Sequence, residues 1–276
     1  MYRSLKVSLL FALLSLSLFS CTAEDPTTPE PPVLSDNTAI LTAKTWIYYE
    51  YFNGYNDSQT KLSWKANKDA SYRNMSQIMV KFNSDGTVIE ANESNVLYRG
   101  TWTFLNNETQ IRVINSEGTF TSDIKVLADS LFEWHDVANN TYGVMVHEYQ
   151  ETDSSISKTA LLTGKTWIYN EYFNNYNVTS PDLIWKIGKA NSATNYSKIW
   201  VQFYADGTYK ETDQDSILYN GTWTFLSNET QVRVSNVKGI FISDIKVLRS
   251  DRYEWQMVNG ATYGEMIPST TNPLRK

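Results

Sequence analysis

The chain has few of the residues on which catalytic and metal centres usually depend. Cys21 is the single cysteine among 276 residues, which excludes an internal disulfide framework and any zinc site built from cysteines. His135 and His147 are the two histidines, so little histidine chemistry is available. Basic side chains number 24 against 30 acidic ones, with no basic cluster. Because affinity for nucleic acid depends on Lys and Arg that neutralise phosphates, we expect no nucleic-acid partner.

Long apolar runs are also scarce, and the longest lies near the start of the chain. Arg3 and Lys6 precede an apolar run over residues 7–19, which is too short to span a bilayer as a stable helix. A short basic segment followed by such a run predicts a secretory signal peptide over residues 1–20.

The predicted signal peptide ends next to the cysteine. Leu18-Phe19-Ser20-Cys21 resembles the lipobox of bacterial lipoproteins, which implies that a lipidated Cys21 is the first residue of the mature chain. Several acyl chains on one cysteine give durable membrane attachment. The alternative is an ordinary signal peptide followed by an unmodified cysteine. We therefore expect a membrane as partner through an N-terminal lipid anchor.

A proline-rich stretch begins at this cysteine. Residues 21–37 contain four of the seven prolines, and such a stretch cannot bury a core, so we interpret it as an extended tether. Glu24-Asp25 resembles the acidic export tag that sends Bacteroidota lipoproteins to the outer face of the outer membrane. The predicted location is the cell outer membrane, lipid-anchored and facing the exterior, with the periplasmic face as the alternative.

The rest of the chain is an internal duplication. Shifting the sequence by 121 residues superposes residues 44–146 on residues 165–267 without an insertion, and about 55 of the 103 aligned positions are identical. A unit of this length is too long for a solenoid repeat and typical of a small domain. We predict two like domains over residues 38–149 and 159–270, a linker over residues 150–158 and a tail over residues 271–276.

Within each unit the apolar residues recur with the period of a β-strand. Ile78, Val80 and Phe82 alternate with Gln77, Met79 and Lys81, which is typical of a strand with one buried face. Asp85-Gly86 follows and has the composition of a type I′ hairpin. Similar segments lie near residues 45–52, 98–104, 109–114, 120–127, 131–136 and 141–147. Eight or nine short strands per unit, without a convincing amphipathic helix, predict an all-β antiparallel meander that closes on itself.

Three short motifs connect these units with a known kind of domain. Leu162-Thr163-Gly164-Lys165-Thr166-Trp167, Phe203-Tyr204-Ala205-Asp206-Gly207-Thr208 and Gly221-Thr222-Trp223 resemble the L-x-G-K-x-W, F-x-x-D-G-T and G-x-W motifs of lipocalin-like domains in Bacteroidota surface lipoproteins. The first unit matches except that Ala43 replaces the first glycine. The resemblance implies two tandem, lipocalin-like, up-and-down antiparallel barrels of about eight strands, each with a ligand cup at one end.

The first strand of each unit supplies candidate ligand-binding residues for the barrel interior. Along this strand Tyr49 belongs to one alternating set of side chains, and Asn170 replaces it in the second unit, an exchange that fits a solvent-facing position. We therefore expect the other set to point inward, namely Trp46, Tyr48, Glu50 and Phe52. In one hypothesis Glu50 acts with nearby tyrosines to bind a ligand hydroxyl or amine; in the alternative it lies at the rim, capped by a tyrosine hydroxyl or water. The interior candidates are Tyr48, Glu50, Tyr98, Trp102 and Trp134, with Tyr169, Glu171, Tyr219, Trp223 and Trp255 in the second unit.

Trp64 and Trp185 are candidates for a second kind of site. Both lie in loop-like stretches near several tyrosines. Flat rings beside Asn and Asp are typical of sugar recognition, because a pyranose stacks on the ring while polar groups bind its hydroxyls. The alternative is that each indole plugs an open barrel end.

No pattern typical of an enzyme is present, so we expect no catalytic activity, no metal site and no cofactor. The predicted function is binding of a small apolar molecule or an oligosaccharide by the duplicated barrels. The alternative is a non-catalytic scaffold whose filled barrels present loops to an envelope protein. An open cup of roughly 300 Å³ or more favours binding, whereas interiors filled by Trp102 and Trp134 favour the scaffold.

Overall fold

The structure, a computed structural model, describes the duplicated part of the chain. The described residues are 35–68, 71, 74–149, 155–190, 192, 194–213 and 216–269. The predicted signal peptide, Cys21, nearly all of the predicted tether and the tail therefore lie outside the described residues, as do residues 150–154 of the predicted linker. Neither helix found in the described ranges is long and apolar enough to cross a membrane.

The described residues of each repeat form one short helix followed by nine strands. The elements of the first repeat are α1 (Asp36–Ala43), β1 (Trp46–Asn53), β2 (Lys61–Lys65), β3 (Met79–Phe82), β4 (Thr87–Ala91), β5 (Val96–Leu105), β6 (Gln110–Asn115), β7 (Gly118–Ala128), β8 (Leu131–Asp136) and β9 (Thr141–Val146). Those of the second are α2 (Lys158–Thr163), β10 (Thr166–Asn174), β11 (Asp182–Lys186), β12 (Ile199–Phe203), β13 (Thr208–Asp213), β14 (Ser216–Leu226), β15 (Gln231–Asn236), β16 (Gly239–Leu248), β17 (Tyr253–Met257) and β18 (Thr262–Pro268).

The strands of each repeat close into a barrel. β1 pairs with β9 along most of its length and with β3 at its start, and β3 to β9 pair in chain order. In the second repeat β10 likewise joins β12 to β18, which also pair in order. The remaining strands, β2 and β11, pair beside the second halves of β1 and β10. The predicted all-β fold of up-and-down antiparallel barrels is confirmed, and eight strands close each barrel.

A short helix packs against one end of each barrel. Ser35 caps α1 by accepting a hydrogen bond from the Thr38 backbone N–H at 3.2 Å. Leu41 is buried in the barrel core, and the Leu41 carbonyl accepts a hydrogen bond from the Trp46 indole at 2.9 Å. The same contacts recur between α2 and Trp167. The sequence prediction missed both helices, because two turns carry too little periodicity to be distinguished from a loop.

The hairpin predicted at Asp85-Gly86 is present, but its turn type differs. Gly86 has φ +83°, whereas Asp85 is not among the residues with positive φ. A type I′ turn needs positive φ at both central positions. The Gly86 N–H binds the Asn83 carbonyl, and the Asn83 N–H binds the Thr87 carbonyl. Together these bonds define a type I turn followed by a glycine bulge.

The two barrels are packed against each other, and their described residues belong to one compact unit. β2 and β11 meet at Lys61 and Asp182, whose side chains also form an ion pair. The rings of Phe52 and Phe173 stack across the contact with centroids 6.2 Å apart. One apolar cluster contains residues of both repeats, among them Tyr142 and Tyr263. The part of the chain that the structure describes therefore has three cores, one in each barrel and one between them.

Candidate functional site

A cavity of about 450 Å³ lies inside the first barrel. It extends to the β6–β7 and β8–β9 turns, which lie at the end opposite α1. Its described lining includes the aliphatic residues Val80, Val88, Ile111 and Met145 and the aromatic residues Tyr48, Tyr51, Phe82, Tyr98, Phe120, Phe132 and Trp134. Three of the predicted site residues, Tyr48, Tyr98 and Trp134, therefore share one cavity. Trp102 is instead buried towards the closed end, where its indole donates to the Asn83 carbonyl at 2.9 Å.

Three carboxylates line this cavity, those of Glu90, Glu117 and Asp136. Glu90 is directly opposite Tyr98 on the β4–β5 ladder, so both side chains project from the same face of the sheet. Within the described residues no hydrogen bond or ion pair satisfies the Glu90 carboxylate. Burial raises the pKa of Glu90. Burial first, and then the Glu90 charge, also raise the pKa of Tyr48 well above its usual range, so the Tyr48 hydroxyl stays protonated.

The interior of the second barrel carries larger side chains at two matched positions. Tyr196 and Tyr209 stand where the first repeat has Met75 and Val88. The Tyr196 ring packs against Tyr169, with ring centroids 5.3 Å apart, and the Tyr209 ring against Phe203 at 5.4 Å. The two added rings take up space that the smaller side chains leave open in the first barrel.

The carboxylate at the matched position in the second barrel is satisfied internally. Glu211 corresponds to Glu90, and its Oε2 accepts a hydrogen bond from the Tyr209 hydroxyl. Tyr219 packs against this core, and Trp255 lies 6.2 Å from Tyr172 between ring centroids. The predicted residues Tyr169, Tyr219, Trp223 and Trp255 thus belong to a crowded aromatic core.

The prediction that Glu50 and Phe52 point into the barrel is wrong. A β-bulge interrupts the β1–β9 ladder between Tyr48 and Glu50, and the extra residue reverses which face the following side chains occupy. Tyr48 and Tyr51 consequently face the cavity, while Tyr49 and Phe52 belong to the core between the repeats. A similar bulge lies between Tyr169 and Glu171 in β10, so the inward placement of Glu171 is wrong for the same reason.

Glu50 and Glu171 instead form a buried ion cluster between the barrels, together with Lys65, Lys186 and Glu265. Lys65 pairs with Glu50, with Glu171 at 3.4 Å and with Glu265 at 3.2 Å. Lys186 pairs with Glu171 and lies 3.7 Å from Glu50. Because Lys65 and Lys186 are matched positions of the duplication, each lysine joins the carboxylate of its own repeat to that of the other.

The charges in this ion cluster compensate one another. Burial alone would raise the pKa of Glu265, but Arg252 and Lys65 lower it to about 2. Burial would also lower the pKa of Lys186, yet the neighbouring Glu171 holds it well above its usual value. Carboxylate oxygens of Glu50, Glu171 and Glu265 lie within 4.8 Å of one another, a spacing that suits a metal ion. The two lysine ammonium groups already supply positive charge there, so a metal is not needed to hold this cluster.

Trp64 and Trp185 are not exposed, which contradicts the hypothesis that their rings stack on a sugar. Each indole is 7% exposed and lies in β2 or β11 rather than in a loop. The Trp64 indole donates to the Tyr48 carbonyl at 3.4 Å, and the Trp185 indole donates to the Tyr169 carbonyl at 3.2 Å. Both rings therefore pack onto their barrels.

A second cavity, also of about 450 Å³, lies between the repeats beside the interface. Its lining mixes positive and negative side chains, including Lys44, Asp129, Arg249, Asp251 and Arg252. Because these opposite charges neutralise one another, the groove has little preference for ligands of either charge. The first-barrel cavity differs, since the charged residues of its described lining are all acidic.

Sequence reasoning missed Glu90 and the two buried lysines. The signal for Glu90 was present, because Val88 and Glu90 continue the alternation that starts at Phe82. No comparable signal marked Lys65 and Lys186, since a lysine at a strand end normally faces water. Only the packing of one barrel against the other buries them.

Comparison with known proteins gives no assignment. No protein-family model and no curated protein matches the chain. Among solved structures, a DUF4847 family protein from Bacteroides vulgatus ATCC 8482 has 10% sequence identity and a TM-score of 0.28, over 41% of this chain and 97% of that one. A lipocalin-like protein from Bacteroides uniformis ATCC 8492 has 12% identity and a TM-score of 0.29, over 40% of this chain and 99% of that one.

Proposed function

We propose that the protein is a binding protein whose first barrel takes up a small, mainly apolar molecule. The observation that carries this proposal is the cavity of about 450 Å³ inside that barrel. Its volume falls within the range of roughly 300–1,000 Å³ that is usual for small-molecule sites. Its wall combines aliphatic and aromatic side chains with polar groups, among them Glu90, Ser122 and Asn139.

The geometry favours an apolar molecule over an oligosaccharide. A sugar site needs exposed flat rings with hydrogen-bonding groups beside them, and Trp64 and Trp185 are buried. In the first-barrel cavity the rings of Tyr48, Tyr51 and Trp134 instead line the inside of the barrel. Transfer of an apolar body from water into such a space is favourable in proportion to the area removed from water.

The second barrel suits a supporting role. Tyr196 and Tyr209 occupy its interior, and Glu211 is satisfied by Tyr209. Its rim also carries exposed apolar side chains, including Ile217, Val237 and Val258. These features favour the second candidate function for this half of the molecule, a scaffold that presents its turns to an envelope protein.

The proposal includes attachment to a membrane. The signal-like segment over residues 1–20 and the lipobox-like sequence at Cys21 support a lipid-anchored protein of the outer membrane that faces the exterior. Labelling of cells with a radioactive fatty acid tests the anchor. Label that persists in a Cys21→Ser variant would contradict lipidation at this residue.

Ligand binding is tested by tryptophan fluorescence and thermal shift of the full chain against fatty acids, alkyl amines, porphyrins and oligosaccharides. A ligand at 100 times its Kd raises the free energy of unfolding by about 2.7 kcal/mol. Val88→Tyr combined with Met75→Tyr gives the first barrel the side chains of the second, and we expect it to abolish binding while the fold is retained. The matched control, Tyr209→Val in the second barrel, leaves first-barrel binding unchanged. Absence of any saturable ligand, or full binding by the filled variant, would contradict the proposal.

A further inference from the structure

We propose that the ligand of the first barrel carries a positive charge, as an ammonium group on an apolar body, and that Glu90 is its counter-ion. This inference rests on the proposed function, because it assigns the ligand class of the same cavity.

The Glu90 carboxylate is the polar group of the cavity with the most to gain from a ligand. It lies in the cavity wall beside Tyr48 and Tyr98, and the described residues supply it with no hydrogen-bond donor and no positive charge. A carboxylate withdrawn from water is unfavourable unless a partner compensates the lost hydration. An ammonium group supplies both the opposite charge and N–H donors, and such charge-assisted contacts are the stronger kind of hydrogen bond.

The surroundings of the cavity also select for a cation. Glu117 and Asp136 line the cavity together with Glu90, and its described lining includes no Lys, Arg or His. Clefts lined by charges of one sign concentrate ligands of the opposite sign. Tyr51 and Trp134 also line the cavity, and an aromatic ring attracts a cation that reaches its face.

The second repeat shows what the same carboxylate does without a ligand site. Glu211 accepts a hydrogen bond from the hydroxyl of Tyr209, a residue two positions away on the same strand. In the first repeat the corresponding residue is Val88, which has no donor to offer. Replacement of Tyr by Val therefore accompanies both the open volume and the unsatisfied carboxylate, and these are the two features that an apolar cation requires.

A neutral ligand is the competing explanation. Burial raises the pKa of Glu90, and a protonated Glu90 would donate a hydrogen bond to a ligand carbonyl or hydroxyl. The two explanations differ in which head group the cavity prefers. An apolar cation requires the ionised form, whereas an alcohol or a carbonyl compound is bound equally well or better by the protonated form.

Three probes with the same alkyl chain test the inference: decylamine, decanol and decanoate, titrated at neutral pH into the full chain with tryptophan fluorescence as readout. We expect decylamine to bind about tenfold more tightly than decanol, the scale expected for a hydrogen bond to a charged group, and decanoate to bind most weakly. Equal affinity for all three, or a preference for decanol or decanoate, would overturn the inference and leave the proposed function intact. If none of the three probes binds, and no ligand of the wider panel binds saturably, the proposed function itself is contradicted.

The Glu90→Gln variant keeps the shape of the side chain and removes its charge. We expect it to reduce the preference for decylamine over decanol to less than about twofold, with decanol affinity unchanged. The matched control, Glu211→Gln, retains the wild-type preference. Persistence of the amine preference in Glu90→Gln would show that Glu90 is not the counter-ion. The comparison of probes on the wild-type chain stands by itself if the variant does not fold.

Discussion

Lys65 and Lys186 are buried between the two barrels, although lysine is seldom fully buried in proteins. Their ammonium groups join the carboxylates of both repeats, and each also lies over aromatic rings of the interface, Lys65 over Tyr49 and Tyr263 at about 5 Å. A buried ion pair is not by itself strong evidence for stability, because desolvation offsets much of the attraction. Removal of one partner is a different matter, since it leaves the opposite charge uncompensated.

We therefore expect Lys65→Met to lower the free energy of unfolding by about 3–5 kcal/mol, because Glu50 and Glu265 lose a buried counter-charge. Urea denaturation followed by circular dichroism measures this change. The matched control is Lys61→Met, which breaks a pair with Asp182 whose side chains are 43% and 40% exposed; we expect a loss of less than about 1 kcal/mol. Similar losses in the two variants would contradict the assignment of Lys65 to a buried cluster.

At the scale of residues, the sequence predicted the types of side chain that line the cavity more reliably than it predicted their positions. The strand alternation identified Tyr48, Tyr98 and Trp134, which line the first-barrel cavity. It assigned the interior carboxylate to Glu50 rather than to Glu90, because one extra residue in β1 reverses the facing of every later side chain. A bulge of this kind has no dependable signal in a single sequence.

At the scale of elements, the strands and their order followed from period-two alternation and turn residues, whereas the helices did not. The ladder β5–β6 shows why the G-x-W motif needs its glycine. A Cβ at Gly100 would lie 2.1 Å from the carbonyl oxygen of Ile114 on the neighbouring strand. The same close approach occurs at Gly221. The glycine therefore allows β5 and β6 to approach, next to the strand position from which Tyr98 enters the cavity.

We expect Gly100→Ala to destabilise the protein by about 1–3 kcal/mol, because the neighbouring backbone must move to admit the methyl group. Thermal unfolding measures the change, and Thr101→Ala is the control, since Thr101 is exposed on the same strand. An effect of Gly100→Ala no larger than that of Thr101→Ala would show that the ladder accommodates a side chain here.

At the scale of the whole molecule, the duplication has produced two barrels that share a core. Phe52 and Phe173 stack across the contact, and the buried ion cluster draws charges from both sides. The repeat itself was evident in the sequence, but this contact was not, because the residues that form it have the same apolar and charged character as residues of a barrel interior or surface. Only closure of both barrels shows which faces remain to be covered.

A shared core of this kind predicts that the two repeats unfold together. Phe173→Ala removes a fully buried ring from the interface, at a cost of about 3–5 kcal/mol, and we expect it to lower the urea midpoint of β1 and β9 as well as that of β10 and β18. Hydrogen exchange measured by mass spectrometry across a urea series follows peptides of each repeat separately. Ile217→Ala, at an exposed position of the second repeat, is the control and leaves both midpoints in place. If Phe173→Ala shifts the second repeat alone, the barrels are energetically independent, and binding in the first barrel cannot be transmitted to the second through this core.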